Sequence, residues 1–245
     1  MGTITDKLNK LAETKSAIKT AIVNKGVAVS DSDTFASYAS KIDAISGGGS
    51  TPTEGIYGVF IYDTNGNLTK PEEWDTANND LAVGVAVIDE NCSFVIEKTV
   101  SYSTMQWGGY GTKISGIVTT TDSNTAKTDY AGESNTTKII NQLGSGNAPA
   151  AEYCRGRTCT VNGTTLHGYL GAAGEWWTAY NNKSAIDSAL SKIGGTAINV
   201  GANYHWASTQ FNADNAWMLG WGKGIINGYA KNYGNYVRAF YPLPK

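Results

Sequence analysis

The chain has 245 residues, of which 41% are hydrophobic and 16% charged, a composition typical of a globular protein that buries a core. Its 19 lysines and arginines face 21 acidic residues, so the net charge of −2 offers no cationic excess for a phosphate backbone. A membrane-spanning helix needs about eighteen consecutive apolar residues and the sequence has no such run, and residues 1–7 lack the features of a secretory signal. We therefore exclude nucleic acid and membrane insertion, and we expect synthesis in the cytoplasm.

The unusual part of the composition is its 29 glycines, 14 tyrosines and 7 tryptophans. Antibody loops have a similar composition, in which rigid aromatic side chains stand beside adaptable polar residues. This composition indicates a chain rich in loops that recognises another molecule.

The first 46 residues predict a helical hairpin. Lys15 interrupts an otherwise apolar seam with helical spacing, which suggests packing against copies of the chain or against a neighbour. The seam consists of Ile4, Leu8, Leu11, Ile18 and Ile22. Gly26 ends this helix, and residues 30–33 supply caps for a second one that runs to Ile45. Residues 47–54 read as a Gly/Ser/Pro linker, which leaves residues 55–245 as a second domain.

After the linker, short apolar runs alternate with turn residues, which predicts a loop-rich α+β domain. The turn at residues 64–67 separates the first two strands. Helices are predicted at residues 125–143 and 174–193. Strands are predicted at residues 56–62, 81–88, 93–96, 205–206, 217–221, 225–226 and 236–240.

Residues suited to catalysis or metal binding are few. Cys154, Cys159 and His167 lack a fourth zinc ligand at a familiar spacing, and the two cysteines are close enough either to pair or to stay free. Acidic residues 72, 73 and 75 flank Trp74, which predicts a solvated turn over a buried tryptophan. Glu175 is expected to cap a helix. We predict no metal, no cofactor and no enzymatic activity.

The aromatic residues of the C-terminal third fall into two classes by their neighbours. Tryptophans 176, 177, 206 and 217 lie in periodic apolar sequence and are predicted to be core residues. Trp221, Tyr229, Tyr233 and Tyr236 lie among Gly, Asn and Lys, and are candidate contact residues.

Several motifs, in this order, carry a resemblance to a known family. They are Ala151-Glu-Tyr-Cys154, Gly168-Tyr-Leu-Gly-Ala-Ala-Gly-Glu-Trp-Trp177, Gly194-Gly-Thr196, His205-Trp-Ala-Ser-Thr-Gln210, Asn215-Ala-Trp217, Lys231 and Tyr236-Val-Arg-Ala-Phe240. Residues 55–245 thus resemble the variable proteins that retroelements diversify, which have a C-type-lectin-like fold. Separately, Lys25-Gly26-Val27 and residues 34–42 resemble the N-terminal segment of phage tail-fibre and baseplate-associated proteins. Together the halves are similar in plan to the major tropism determinants of temperate phages.

The resemblance implies a variable region at about residues 204–240, where adenine mutagenesis changes asparagine-type codons. Codons for Trp, Lys, Met and Gln are not reached in this way, which implies a constant scaffold of Trp206, Gln210, Trp217, Met218, Trp221, Lys223, Lys231 and Arg238. Trp221 is kept as a fixed contact or rim residue as well. The candidate ligand-binding residues are Phe211, Asn212, Asp214, Gly220, Trp221, Ile225, Asn227, Gly228, Tyr229, Asn232, Tyr233, Gly234 and Asn235.

The function implied is that of a receptor-binding protein at the tip of a phage tail fibre, a virion component that recognises a bacterial surface receptor of protein or glycan. Residues 1–46 would then join other tail-fibre or baseplate proteins and form a homotrimer. Two alternatives are a bacterial surface adhesin or pilus-tip-like lectin module and an enzyme of the formylglycine-generating type. The enzyme needs a cysteine pair in the C-terminal part of its domain, whereas the last cysteine here is Cys159. The sugar-binding motifs of calcium-dependent lectins are also missing.

Overall fold

A computed structural model describes residues 3–24, 29–30, 32–35, 37–38, 41, 57–101, 103–198 and 204–244. The chain divides into two units, Met1–Thr51 and Pro52–Lys245. The predicted linker at residues 47–54 lies outside the described residues. No helix in the described ranges is long and apolar enough to cross a membrane.

The first unit contains helix α1, Ile4–Asn24. It starts with a reciprocal cap, in which the Thr3 N–H donates to Asp6 Oδ2 at 2.7 Å and the Asp6 N–H donates to Thr3 Oγ1 at 3.1 Å. Ile4, Leu8 and Leu11 of the predicted seam are more than half exposed, at 79%, 58% and 54%. Of the predicted second helix, residues 35, 37, 38 and 41 are helical and Thr34 is not, and residues 36, 39, 40 and 42–45 lie outside the described ranges.

The larger unit is an α+β fold, as the sequence predicts. Its main sheet has six antiparallel strands in the order β2-β1-β3-β4-β13-β8. These strands are β1 Gly58–Asp63, β2 Leu68–Thr69, β3 Ala82–Ile88, β4 Ser93–Glu97, β8 Tyr169–Leu170 and β13 Ala239–Pro242. Asp63 Oδ1 accepts the N–H groups of Asn65 and Asn67 and so closes the predicted turn at residues 64–67, which leads into β2, a short strand that the sequence did not predict. The C-terminal strand β13 lies between β4 and the edge strand β8.

Smaller sheets and five helices complete this unit in the described ranges. The order β11-β10-β9 forms a three-stranded sheet, while β5 pairs with β12 and β6 with β7. Those strands are β5 Met105–Gln106, β6 Thr158–Val161, β7 Thr164–His167, β9 Tyr204–Gln210, β10 Asn215–Gly220, β11 Ile225–Ala230 and β12 Gly234–Asn235. The helices are α2 Ser123–Ala126, α3 Gly132–Leu143, α4 Pro149–Gly156, α5 Ala173–Asn181 and α6 Lys183–Lys192. Short 3-10 turns occupy Pro71–Glu73 and Thr76–Leu81.

Strand β10 is buried on both faces, which explains its continuous apolar sequence. Trp217 and Leu219 enter the core that also holds Trp176 and Phe240. Met218 points into a second core with Trp107 and Trp206. Because β9 and β10 are held between two cores, they form a rigid base for the outer strand β11.

Both predicted long helices are interrupted. At the first interruption, buried Asp129 accepts hydrogen bonds from Ala131 N–H (3.1 Å), Asn135 Nδ2 (2.9 Å) and Thr209 Oγ1 (2.7 Å). A carboxylate that binds β9 in this way separates α2 from α3. At the second interruption, the Asn182 side chain donates to the Thr178 carbonyl at 3.0 Å and ends α5. The sequence pattern does not reveal these breaks, because apolar residues keep a helical spacing on both sides of each one.

Candidate functional site

The exposed face of β11 and of the turn that follows it forms an aromatic and amide surface. Along β11 the odd positions are exposed and the even positions are half-buried, as expected for an outer strand over a core. The exposed set, which we call the β11 surface, consists of Ile225, Asn227, Tyr229, Asn232 and Tyr233. Tyr229 is 39% exposed and Tyr233 58% exposed, so both rings are accessible to another molecule.

Three aromatic rings form a row that runs from the core to solvent. The Trp206 and Tyr229 ring centroids are 6.1 Å apart, and those of Tyr229 and Tyr233 are 5.4 Å apart. Trp206 is fully buried, and its indole N–H donates to the Met105 carbonyl at 2.9 Å. Because the buried end of the row is fixed, Tyr229 rests on a rigid support, and a ligand that covers it meets little entropic cost.

Lys231 anchors the loops around the β11 surface. Its side chain is fully buried, and Nζ donates to Thr112 O (2.7 Å), Ala213 O (2.9 Å) and Gln210 Oε1 (3.0 Å). The ammonium also lies 4.6 Å from the Trp107 ring centroid. Burial lowers the pKa of Lys231 to about 8, which leaves the side chain mostly protonated at pH 7. One lysine therefore joins three segments that border the surface.

Two predicted contact residues in the β9–β10 turn also have structural contacts. Asn212 Oδ1 accepts the N–H groups of Asp214 (2.9 Å) and Asn215 (2.7 Å), which shapes the turn. Phe211 packs on Trp217 with 4.9 Å between ring centroids. It also covers Gly228, where an added Cβ would lie 2.4 Å from the Phe211 ring. Phe211, Asn212 and Gly228 are half-buried, whereas Asp214 and Gly234 are exposed.

Three predicted contact residues are buried and cannot touch a ligand in this arrangement. Trp221 is fully buried, and its indole N–H donates to Asp187 Oδ2 at 3.2 Å. Gly220 lies under the Tyr204 ring. Asn235 is 7% exposed, and its backbone pairs with Met105. Trp221 appeared accessible in the sequence because its neighbours are Gly and Lys, but α6 covers it. The scaffold role that the resemblance implied for Trp221 agrees with its burial.

The sequence interpretation missed a loop that borders the surface. Trp107 N–H and Gly108 N–H both donate to the Lys231 carbonyl, and Thr112 accepts from Lys231 Nζ. Tyr110, between them, is 56% exposed. The segment Gly108-Gly-Tyr-Gly111 has the same aromatic and glycine composition as the predicted site, and this composition was the available signal.

A separate cavity of about 570 Å³ lies beside α3 and the start of α5. Its lining includes Asp89, Glu90, Cys92, Glu133 and Glu175. Burial raises the pKa of Glu175 to about 8, and its carboxyl accepts from Ala172 N–H (2.7 Å) and Tyr169 Oη (3.1 Å). Glu175 thus reaches back to the backbone at the start of α5, as predicted for a cap. Burial also raises the pKa of Cys92 to about 12, which keeps this sulfur as a thiol.

The cysteines and histidines considered from the sequence are dispersed. The three cysteines are unpaired, and burial raises the pKa of Cys154 well above its usual range. His167 is exposed on β7, whereas burial lowers the pKa of His205 to about 3. In the described ranges, no group of three or more His, Cys, Asp or Glu side chains is arranged to hold a metal ion. Trp74 is buried between exposed Glu73 and Asp75, as the predicted turn requires.

Comparisons with known proteins give one structural likeness. No protein-family model matches the chain, and no curated protein matches it. The chain is similar in structure to a fimbrial protein from Bacteroides ovatus ATCC 8483, with a TM-score of 0.58 and 12% sequence identity. The match covers 76% of this chain and 48% of the fimbrial protein, so the chain spans about half the length of that protein. At this identity the likeness shows a shared α+β fold.

Proposed function

We propose that this protein is a non-enzymatic surface-recognition protein whose β11 surface binds a ligand on bacterial cells. The observation that carries the proposal is the pair of exposed tyrosines, Tyr229 and Tyr233, on a fully buried Trp206. Exposed aromatic side chains on a rigid support are typical of binding hot spots. The amides of Asn227 and Asn232 beside them add hydrogen-bonding groups that suit either protein or glycan.

We further propose that residues 55–245 are a C-type-lectin-like domain carried at the tip of a phage tail fibre. The family resemblance of residues 55–245 supports this reading, as do the buried positions of the implied scaffold residues Trp206, Trp217 and Lys231. No cofactor or metal takes part in the proposed binding. The protein would be made in the host cytoplasm and then join the virion.

The first helix supplies the proposed attachment. Ile4, Leu8 and Leu11 form an exposed apolar stripe along α1. Such a stripe is stabilised when copies of the helix pack together, and we propose a homotrimer that joins other tail-fibre or baseplate proteins through residues 1–46. Several copies on one particle would turn weak single contacts into strong attachment. A purified chain that stays monomeric in light scattering at high concentration would contradict this part.

A second candidate is an adhesin on the bacterial surface. Its support is the structural likeness to a fimbrial protein. The two candidates share the binding surface and differ in the carrier. Antibody labelling of purified phage particles and of intact producer cells separates them, because a tail-fibre protein is found on particles and an adhesin on cells.

The binding test uses fluorescent full-length chain on a panel of bacterial strains. The variant Tyr229→Ala/Tyr233→Ala should lose labelling of the strains that the wild type labels, while its urea unfolding midpoint stays close to the wild-type value. The matched control is Tyr57→Ala, which removes a tyrosine that is 63% exposed and precedes β1 in the other sheet. The control should label like wild type. Equal labelling by the double variant would place the binding face elsewhere.

A further inference from the structure

Strand β11 is the outer strand of its sheet. The order β11-β10-β9 leaves one side of β11 without a partner strand among the described residues. Edge strands of this kind usually carry a charged residue or a proline that prevents pairing with another chain. Ile225–Ala230 reads Ile-Ile-Asn-Gly-Tyr-Ala and has neither. The edge of β11 is therefore open to pairing, because no described strand covers it and no charged residue or proline in the strand blocks it.

The register shows which backbone groups point outward. Lys231 N–H donates to Asp214 O, and hydrogen-bonded pairs in an antiparallel ladder recur at every second residue. Residues 225, 227 and 229 therefore bond to β10, and residues 226, 228 and 230 direct their N–H and C=O groups away from it. A second strand would pair with those outward groups.

The local hydrogen bonds agree with this register. Gly228 N–H donates to the Oδ1 of its own neighbour Asn227 at 2.8 Å, which is a local substitute for a partner strand. Ala230 C=O accepts from Tyr233 N–H at 3.0 Å. Among the described residues, no group on the open side binds the N–H or C=O of Ile226, so an extended backbone finds a donor and an acceptor there.

Apolar side chains border the open edge on both faces. On the exposed face, Ile225 and Tyr229 lie four positions apart along the strand, one on each side of Asn227. On the other face, Ile226 and Phe211 are half-buried, and Phe211 covers Gly228. An added strand alternates its side chains between the same two faces and would bury these groups.

We infer that the ligand of the β11 surface is an extended polypeptide segment of a bacterial surface protein, which adds to the open edge of β11 as a further strand. The inference rests on the proposed function and narrows its ligand to protein. Backbone pairing supplies the shared part of the affinity, and the side chains at positions 225, 229 and 211 select the segment. A ligand without a regular backbone, such as a glycan, would use the side chains alone.

The first test removes one outward N–H, and a control variant accounts for the accompanying change of side chain. Ile226→Pro loses a donor that β10 does not use, so the sheet is expected to persist, while pairing with a partner is blocked. Labelling of a strain that wild type labels should fall by roughly tenfold or more. The matched control Ile226→Ala shortens the side chain and keeps the N–H, and its labelling should stay within about threefold of wild type. Equal losses in both variants would overturn the inference.

Circular dichroism and the urea midpoint establish whether Ile226→Pro is folded. If it is not, Ala230→Pro tests the same edge, since the Ala230 N–H also points outward, and full labelling by a folded Ala230→Pro overturns the inference.

A second test asks whether the ligand is protein. Intact cells of the labelled strain are treated with proteinase K, washed and labelled again with the wild-type chain. Loss of labelling supports strand addition, whereas full labelling after proteolysis overturns it and leaves the proposed function in place. If wild type labels no strain before treatment, the proposed function fails, and the inference that rests on it fails with it.

Discussion

Replacing Lys231 by methionine should both destabilise the domain and weaken ligand binding. Methionine keeps the apolar contact with Trp107 but removes the ammonium that three oxygens accept from, at 2.7 to 3.0 Å. Each buried acceptor that loses its partner costs about 1 to 3 kcal/mol. Water can reach some of these oxygens after small movements, which lowers the total cost. We therefore expect a loss of about 3 to 5 kcal/mol in the free energy of unfolding, a large part of the 5 to 15 kcal/mol that is usual for a domain.

Urea unfolding followed by tryptophan fluorescence measures the change in stability. The control is Lys223→Met, because Lys223 is exposed on the turn between β10 and β11 and its loss should change the free energy of unfolding by less than about 0.5 kcal/mol. Cell labelling by Lys231→Met should also fall below wild type in conditions where the variant is folded, because loops 107–112 and 211–214 lose their common anchor. A Lys231→Met chain within about 1 kcal/mol of wild type would refute the anchoring role.

Three further predictions concern stability and the buried positions. Burial raises the pKa of Glu175 from its ordinary 4.5 to about 8, so the folded protein holds this proton more tightly than the unfolded chain does. The free energy of unfolding therefore has its full value below about pH 4.5 and falls by about 1.4 kcal/mol per pH unit as the pH rises to 8. Glu175→Gln should abolish this loss in urea midpoints measured from pH 5 to 8, and an unchanged slope would contradict the assignment. Gly224→Ala should lower the free energy of unfolding by about 1 to 2 kcal/mol in the same assay, because the φ of Gly224 is +64° and an added Cβ would lie 2.4 Å from the Tyr180 ring. The control Gly222→Ala changes an exposed glycine and should leave the free energy of unfolding unchanged. Trp221→Phe should lower the free energy of unfolding by about 2 kcal/mol and leave cell labelling unchanged, and selective loss of labelling would return Trp221 to the binding face.

The sequence alone determined several of the strands and the region of the candidate site. Alternation and turn residues are local signals, and they correctly predicted β1, β3, β4 and the turn at residues 64–67. The burial of Trp176, Trp206 and Trp217 followed from their apolar neighbours, whereas Trp177, which the same pattern placed in the core, is half-buried at its edge. The α+β class followed from the same patterns, and the structure confirms it. The candidate ligand-binding positions were confined to residues 211–235, and the structure brings the exposed ones among them together around β11.

Only the tertiary structure decided which of those positions face solvent. Trp221 is buried because α6 supplies Asp187, and Asn235 is buried because β12 pairs with β5. The helix breaks at Asp129 and Asn182 depend on hydrogen-bond partners, one of which, Thr209, lies eighty residues away. The role of Lys231 likewise depends on Thr112 and Gln210, which are distant in the chain. Periodicity reports the environment of a residue within one element, whereas exposure and polar partners depend on which other elements pack against it.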